Sequence, residues 1–412
     1  MSQTDRHISI DAVRGFAVLG ILLMNIVGMG MPSFAYIDPT YYGGHEGANF
    51  WAWAINFVVS DGKMRGLFTM LFGASLILIT DRAEGQRPGP AGVHYRRIGW
   101  LFLFGMLHAY LLFFGDILVT YAVAGAIVFL VRRWSPAVLI PLGVLILSGL
   151  IAKGLLDTQH MQALRDAAQA PGAGEAARKA WAEASFMLSP PASFGEREIA
   201  GYRGGFWDAV EARAFMALML QTWYLVTESL PEAVAQMMIG VGLYRLGFFT
   251  LGWSGRAYAA VVVLGWLIAA PVTAWMAWQI AASGFDPITR QFMTYWSAAP
   301  RPFVALGHAA ALMLLVRSGA MGWLVRRLAA AGRMALSNYL GTSIITALVF
   351  CGFGLGLYGH LQRFELYYVV AAIWLAILMW SEPWMKRFHY GPFEWAWRSL
   401  VRWKPQPMLK RP

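Results

Sequence analysis

Apolar stretches long enough to span a bilayer recur from Ala12 to about Trp380, and arginines mark the breaks between them on one side only. Continuous apolar runs of about 20 residues need lipid around them. Charged residues make up only 13% of the chain, against roughly 25% in a water-soluble domain. The net charge of +11 sits in short loops between spans. That is a topology signal and not a phosphate-tracking patch, so no nucleic-acid partner is expected. The single cysteine, Cys351, excludes an internal disulfide and a cysteine metal cluster. The first apolar segment starts with Arg6 and Arg14 like a signal peptide. It is long, carries Asn25 and lacks a small-x-small cleavage site, so it reads as a retained span.

The expected fold class is all-α: a polytopic integral membrane protein with about ten transmembrane helices, both termini cytoplasmic and one polar extracytoplasmic insert. The spans lie near Ala12–Met31, Lys63–Thr80, Ile98–Phe114, Ile117–Val131, Ala137–Leu156, Leu230–Phe249, Tyr258–Ala281, Pro302–Val316, Ala335–Leu357 and Glu365–Trp380. Residues 1–156 form an N-terminal bundle of five spans, 157–211 the insert, 212–384 a C-terminal bundle and 385–412 an amphipathic basic tail. Ser229–Glu232, with Pro231, reads as a capping box opening a helix. Ala214–Val226 and Phe50–Val59 are then separate short helices. The breaks holding Arg82, Arg87, Arg96 and Arg97, then Arg132 and Arg133, then Arg245 and Arg256, then Arg317, Arg326, Arg327 and Arg333, share a side with the tail that ends in Lys410 and Arg411. The positive-inside rule makes that side cytoplasmic.

The chemistry must lie in the few polar side chains within the spans, because such residues are costly in lipid and mark sites or structural pairs. Asp11, Arg14 and Asn25 fall within an arc of about 60° on the first span, with Asn25 about 21 Å further along. Asp11 and Arg14 are spaced to pair, either as an orienting ion pair or as part of a site. The third and fourth spans form a hairpin with Gly115-Asp116 at its tip. His108 shares a face with Arg97 and can meet Asp116 across the mouth, where a carboxylate would orient an imidazole base. Alternatively, Asp116 caps the fourth helix. His45 sits in the glycine-rich loop after the first span, as a site residue or a solvated one. Asp61, Lys63 and Arg65 occupy a polar break flanked by Gly62 and Gly66, of the kind tolerated where backbone lines a cavity. Arg333 precedes Ser337 and Asn338 in the ninth span, and Glu394, Arg398 and Arg402 repeat every four residues in an amphipathic tail helix. No metal-ligand spacing, phosphate loop or nucleophile elbow is present.

These motifs carry a resemblance. Ser9-Ile10-Asp11-Ala12-Val13-Arg14-Gly15 with Asn25, Leu67-Phe68-Thr69-Met70-Leu71-Phe72-Gly73, His108 with Gly115-Asp116, Gly332-Arg333-Met334-Ala335-Leu336-Ser337-Asn338 and Gly391-Pro392-Phe393-Glu394 resemble, as an ordered set, the YeiB family of bacterial inner-membrane proteins. The opening motif is also similar to that of the heparan-α-glucosaminide N-acetyltransferase family. There an R-x-x-S-[IV]-D-x-x-R-G start precedes an asparagine at the separation seen here between Asp11 and Asn25, and a histidine in the following luminal loop is proposed as catalytic. That second resemblance implies a place in a broad group of transmembrane acyltransferases, with His45 in the matching loop.

The expected activity is acyl transfer. A cytoplasmic acyl-CoA, not tightly bound, would meet Arg14, Arg96, Arg97 and Arg333 through its phosphates. A small-molecule or glycan acceptor would give its proton to His45 or His108 at the outer side, with Asn25 on the reacting carbonyl. The rivals are a transporter or lipid flippase using the same polar groups, and an assembly subunit docking through the insert. Membrane lipid is the expected surrounding, the bacterial inner membrane the expected location, and homo-oligomerisation is left open.

Overall fold

The structure is a computed structural model that describes residues 3–85 and 88–410, with side chains described from residue 8 onward; Arg6 (side chain), Arg87 and Arg411 lie outside what is described. Among the described residues the chain is helical throughout, apart from one isolated bridge between Phe388 and Leu409. In chain order the helices are α1 Gln3–Gly30, α2 Gly47–Val59, α3 Lys63–Arg82, α4 Pro90–Leu111, α5 Leu118–Val131, α6 Pro136–Gln169, α7 Glu175–Ser185, α8 Ala192–Arg203 and α9 Phe206–Gln221. There follow α10 Leu230–Arg245, α11 Gly255–Val262, α12 Ala270–Ala282, α13 Pro287–Trp296, α14 Arg301–Ser318, α15 Gly322–Arg333, α16 Ala335–Phe350, α17 Leu366–Arg387 and α18 Pro392–Arg402.

Five helical segments are long and apolar enough to cross a membrane: Ile8–Gly30, Gly47–Arg82, Pro136–Gln169, Gly255–Ala282 and Leu366–Arg387. The pair α13 and α14, bent by 53°, makes a sixth if it counts as one span. Two further apolar helices, α5 and α16, are shorter. Such lengths and the outward-facing Val, Leu and Trp side chains of α6 and α12 are those of a membrane protein, since exposed apolar surface on this scale is stable only against lipid.

The first helix is the axle of the bundle and packs against α3, α14, α15, α16 and α17. Its closest neighbour is α15. A Cβ on Gly15 would overlap the Leu328 carbonyl oxygen, and one on Gly332 would overlap that of Asp11. The α3–α10 contact repeats the device, with Gly73 against the Met237 carbonyl and Gly240 against that of Met70. Small residues serve here because lipid offers helices no hydrophobic drive to associate, and close backbone approach supplies van der Waals contact instead.

Several local expectations change. No side-chain cap forms at Ser229, whose backbone is already helical within a π-turn, Leu225–Ser229, that leads into α10. Glu232 is drawn away by Arg65, 2.9 Å off, and by Gln236. The helix expected over Ala214–Val226 starts earlier, at Phe206, and ends at Gln221. The span expected to reach Leu357 stops at Phe350, after which residues 351–365 turn. The insert does not begin at a helix end: α6 runs past Leu156 to Gln169, with Lys153 paired to Asp157.

The insert builds no core of its own. Tyr202 stacks on Tyr358 at 4.2 Å, the Gly352 N–H donates to the Tyr202 carbonyl, and Arg203 donates to the Tyr358 carbonyl. On the other flank the Tyr41 hydroxyl accepts from the Gly195 N–H, and Glu198 accepts from the Ser33 N–H at 2.9 Å. These contacts lay α8 across the loops that follow α1 and α16, as a cover over that end of the bundle. Burial pushes the Glu198 carboxyl up to about 7, a rise that the Ser33 contact opposes, and among the described residues its Oε1 has no hydrogen-bond partner.

Two outcomes are expected. Gly15→Leu and Gly332→Leu each destabilise the protein by about 3 kcal/mol or more through overpacking, read as a fall in Tm in detergent micelles. Gly149→Ala, where added bulk meets open space, leaves Tm level or higher. For Glu198, the folded carboxyl takes up its proton below about pH 7 and the unfolded one only below 4.5. Stability therefore falls as pH rises through that window, by about 3 kcal/mol in all. Glu198→Gln should raise Tm at pH 8 and leave it unchanged at pH 4; equal stabilities at pH 8 would refute this.

Candidate functional site

The α4–α5 hairpin turns at residues 112–117 and delivers two of the sequence-derived residues to one point. His108 Nδ1 lies 2.8 Å from Asp116 Oδ1. Both side chains are 1% exposed, so neither is a solvated surface group. The other Asp116 oxygen accepts the Val119 N–H at 2.8 Å, so the carboxylate caps α5 and holds the imidazole at once. The Tyr339 ring lies 4.9 Å from that of His108.

The second ring nitrogen, His108 Nε2, lies 2.8 Å from Ser343 Oγ on α16. Asp116 accepts Nδ1–H and so leaves the Nε2 lone pair facing the hydroxyl. Ser343 was not singled out by the sequence, where it is one hydroxyl in an apolar run. The available signal was its register: Tyr339 and Ser343 are four apart and share a face.

Asn25 and Ser343 line one small void, together with Val18, Ile21, Leu22, Met29, Tyr339 and Thr342. Its volume of about 10 Å³ is near the room one water needs. Among the described residues the Asn25 amide has no hydrogen-bond partner, so it is free to serve whatever enters.

A wider cleft, of about 740 Å³, opens at the other end of α1. Asp11, Arg326, Arg333, Glu382, Lys386 and Lys410 are among its walls. Of the four arginines expected to meet phosphates, only Arg333 faces it. Arg14 donates to Asp11 and to Ser75, both at 2.8 Å. Arg97 lies 4.1 Å over the Trp397 ring, and Arg96 is exposed on α4. Arg326, Lys386 and Lys410 were missed because they come from separate breaks and the tail, which only folding brings together.

His45 stands elsewhere, edge-on to Phe285 at 5.6 Å. Asp61 accepts from the Tyr36 hydroxyl at 2.5 Å, Lys63 donates to the Phe57 carbonyl, and Arg65 holds Glu232. These surround the break between α2 and α3, where Gly62 takes φ 70°, a conformation that glycine alone adopts freely. Ser337, Asn338 and Glu394 hold helices together. Glu394 accepts the Leu336 N–H at 2.7 Å, the Ser337 N–H at 3.1 Å and the Ser337 hydroxyl, capping α16 from α18. Asn338 donates to the Ala331 carbonyl and to Ser381 and accepts from Trp380. Arg398 lies over the Tyr390 ring. Among the described residues no three His, Cys, Asp or Glu side chains group to hold a metal.

Removing the remote cap leaves the first N–H groups of α16 unpaired in a buried place. Glu394→Ala is expected to cost about 2 kcal/mol, seen as a lower Tm in micelles, with Glu394→Gln recovering part of it.

Residues 243–404 match the model of a family described as "Protein of unknown function (DUF418)". The chain is 32% identical to Uncharacterized protein YeiB of Escherichia coli (strain K12), over 99% of each chain. It is 25% identical to Uncharacterized protein YxaH of Bacillus subtilis (strain 168), over 98% of this chain and 96% of that one. An uncharacterized 39.9 kDa protein from the amylase 3′ region of Bacillus acidopullulyticus is 22% identical over 97% and 95%. No solved structure matches. With a buried serine–histidine–aspartate chain at one end of its first helix and a basic cleft at the other, this protein belongs to the YeiB-like family.

Proposed function

We propose that the protein is a membrane-embedded acyltransferase, moving an acyl group from a cytoplasmic acyl-CoA to a hydroxyl or amine acceptor at the outer side of the bacterial inner membrane. The observation that carries the reading is the hydrogen-bonded run Asp116–His108–Ser343 beside the Asn25 void. An imidazole fixed by a buried carboxylate, with its free nitrogen aimed at a hydroxyl, is the arrangement of a general base for acyl chemistry. The Asn25 amide can donate to the oxygen of a reacting carbonyl, where charge develops.

Ten crossings with both termini cytoplasmic put the basic cleft on the donor side and the insert over the acceptor side. Arg326, Arg333, Lys386 and Lys410 then receive the phosphates of the donor, and Asp11 and Glu382 restrict the cleft to part of that charge. The two ends of the site lie about 21 Å apart along α1, so an extended thioester arm has to reach between α1 and α16. The void must widen for this, and the α1–α16 seam is the place for it to do so.

His108 takes the role of base in this scheme, and His45, against Phe285, takes none. A second reading, transport, is favoured by the ionisable groups around the α2–α3 break, where irregular backbone meets Asp61, Lys63 and Arg65.

Purified protein with acetyl-CoA and a panel of sugars and amines should release free CoA thiol. His108→Ala and Asp116→Asn should each lower that release by about 10³-fold or more, and His45→Ala should stay within about threefold, in protein that keeps its helical circular-dichroism spectrum. Failure of the wild type to bind or cleave acyl-CoA, together with substrate flux in liposomes, would replace this reading with transport.

A further inference from the structure

Several hydroxyls within the membrane helices share a habit that Ser343, like Ser337 at the head of α16, does not follow. Ser75, Thr80, Thr342 and Thr346 each donate to the carbonyl one turn back, at 2.7 to 3.0 Å. Ser343 stands 3.5 Å from the corresponding Tyr339 carbonyl, at the margin of a hydrogen bond. Its hydroxyl is spent on His108 Nε2 at 2.8 Å. A helical serine in lipid normally satisfies itself on its own backbone, so this one is held for another purpose. It is 1% exposed and lines the void that Asn25 enters from the facing helix. That void has room for one small group and not for a donor thioester and an acceptor side by side.

Resting on the acyltransferase reading, we propose that Ser343 is the catalytic nucleophile and carries the acyl group as an ester between two half-reactions. In the first, Ser343 Oγ attacks the thioester carbonyl carbon and gives its proton to His108 Nε2. The carbon–sulfur bond breaks, and the departing thiolate takes that proton and leaves as free thiol. In the second, the acceptor hydroxyl or amine gives its proton to His108 and attacks the ester carbonyl. The carbon–Oγ bond breaks, and Ser343 Oγ regains the proton. Asn25 donates to the carbonyl oxygen in both halves, and Asp116 holds the imidazole throughout. The two substrates never need to meet, which suits a chain approached by donor and acceptor from opposite sides.

The test uses the full-length protein in micelles with radiolabelled acetyl-CoA and no acceptor. Label should remain on the protein after denaturation, one acetyl per chain, and peptide mass spectrometry should place it on Ser343. Ser343→Ala should lose both the label and the burst of thiol, and its turnover should fall by at least about 10³-fold in protein that keeps its helical circular-dichroism spectrum. Ser343→Cys should keep the label as a thioester sensitive to hydroxylamine. Turnover by Ser343→Ala within about threefold of wild type, or an unlabelled wild type whose activity still depends on His108, would overturn the covalent step and leave direct transfer. A wild type that cleaves no acyl-CoA at all would instead remove the reading on which it rests.

Discussion

The structure depends on how closely α1 can approach its neighbours. Within lipid nothing squeezes helices together except packing and the few polar contacts they share. Gly15 and Gly332 let α1 lie with its backbone against that of α15. Further along the same helix, Trp374 and Tyr367 of α17 donate to the Leu19 and Leu23 carbonyls. This seating puts Asp11 in the wall of the basic cleft and Asn25 in the void beside Ser343. A single rod therefore sets the geometry of both ends of the proposed site, and a tilt of α1 would displace them in opposite directions.

The second constraint is polar. A histidine and an aspartate with 1% exposure are costly unless each hydrogen-bonding atom is used. Asp116 accepts from His108 and from the Val119 N–H, and His108 meets Ser343 with its remaining nitrogen. The hairpin and α16 are tied by the same three side chains that carry the proposed chemistry. Stability and the proposed chemistry thus draw on one set of contacts.

Much of this was legible in the sequence, for a physical reason in each case. A charge or imidazole in an apolar helix has few permitted places, so His108, Asp116, Asp11, Arg14 and Asn25 could be read from spacing. The polar break before α3 was visible as Gly62 among charges, and it does separate α2 from α3. Ser343 was not legible, because a helical serine normally closes on its own backbone and only the facing imidazole marks it as different. The basic cleft escaped because Arg326, Lys386 and Lys410 lie far apart in the chain. The Asp11–Arg14 pair was readable from its spacing, whereas Arg97 was readable as a cation but not as one already engaged by the Trp397 ring. The start of α10 misled for a related reason: Glu232 had the spacing of a cap, and a stronger partner, Arg65, took it.

The cap on α16 has a bearing on how the chain is made. The helix that presents Ser343 begins at Ala335, yet the carboxylate that closes its first turn is Glu394 of α18, made well after it. Until α18 emerges and docks, α16 sits in the bilayer with bare amides at its head. The cap on α16 therefore waits for α18. A nascent chain can insert α16 and still lack a closed first turn beneath Ser343 until α18 has emerged to fold back onto it.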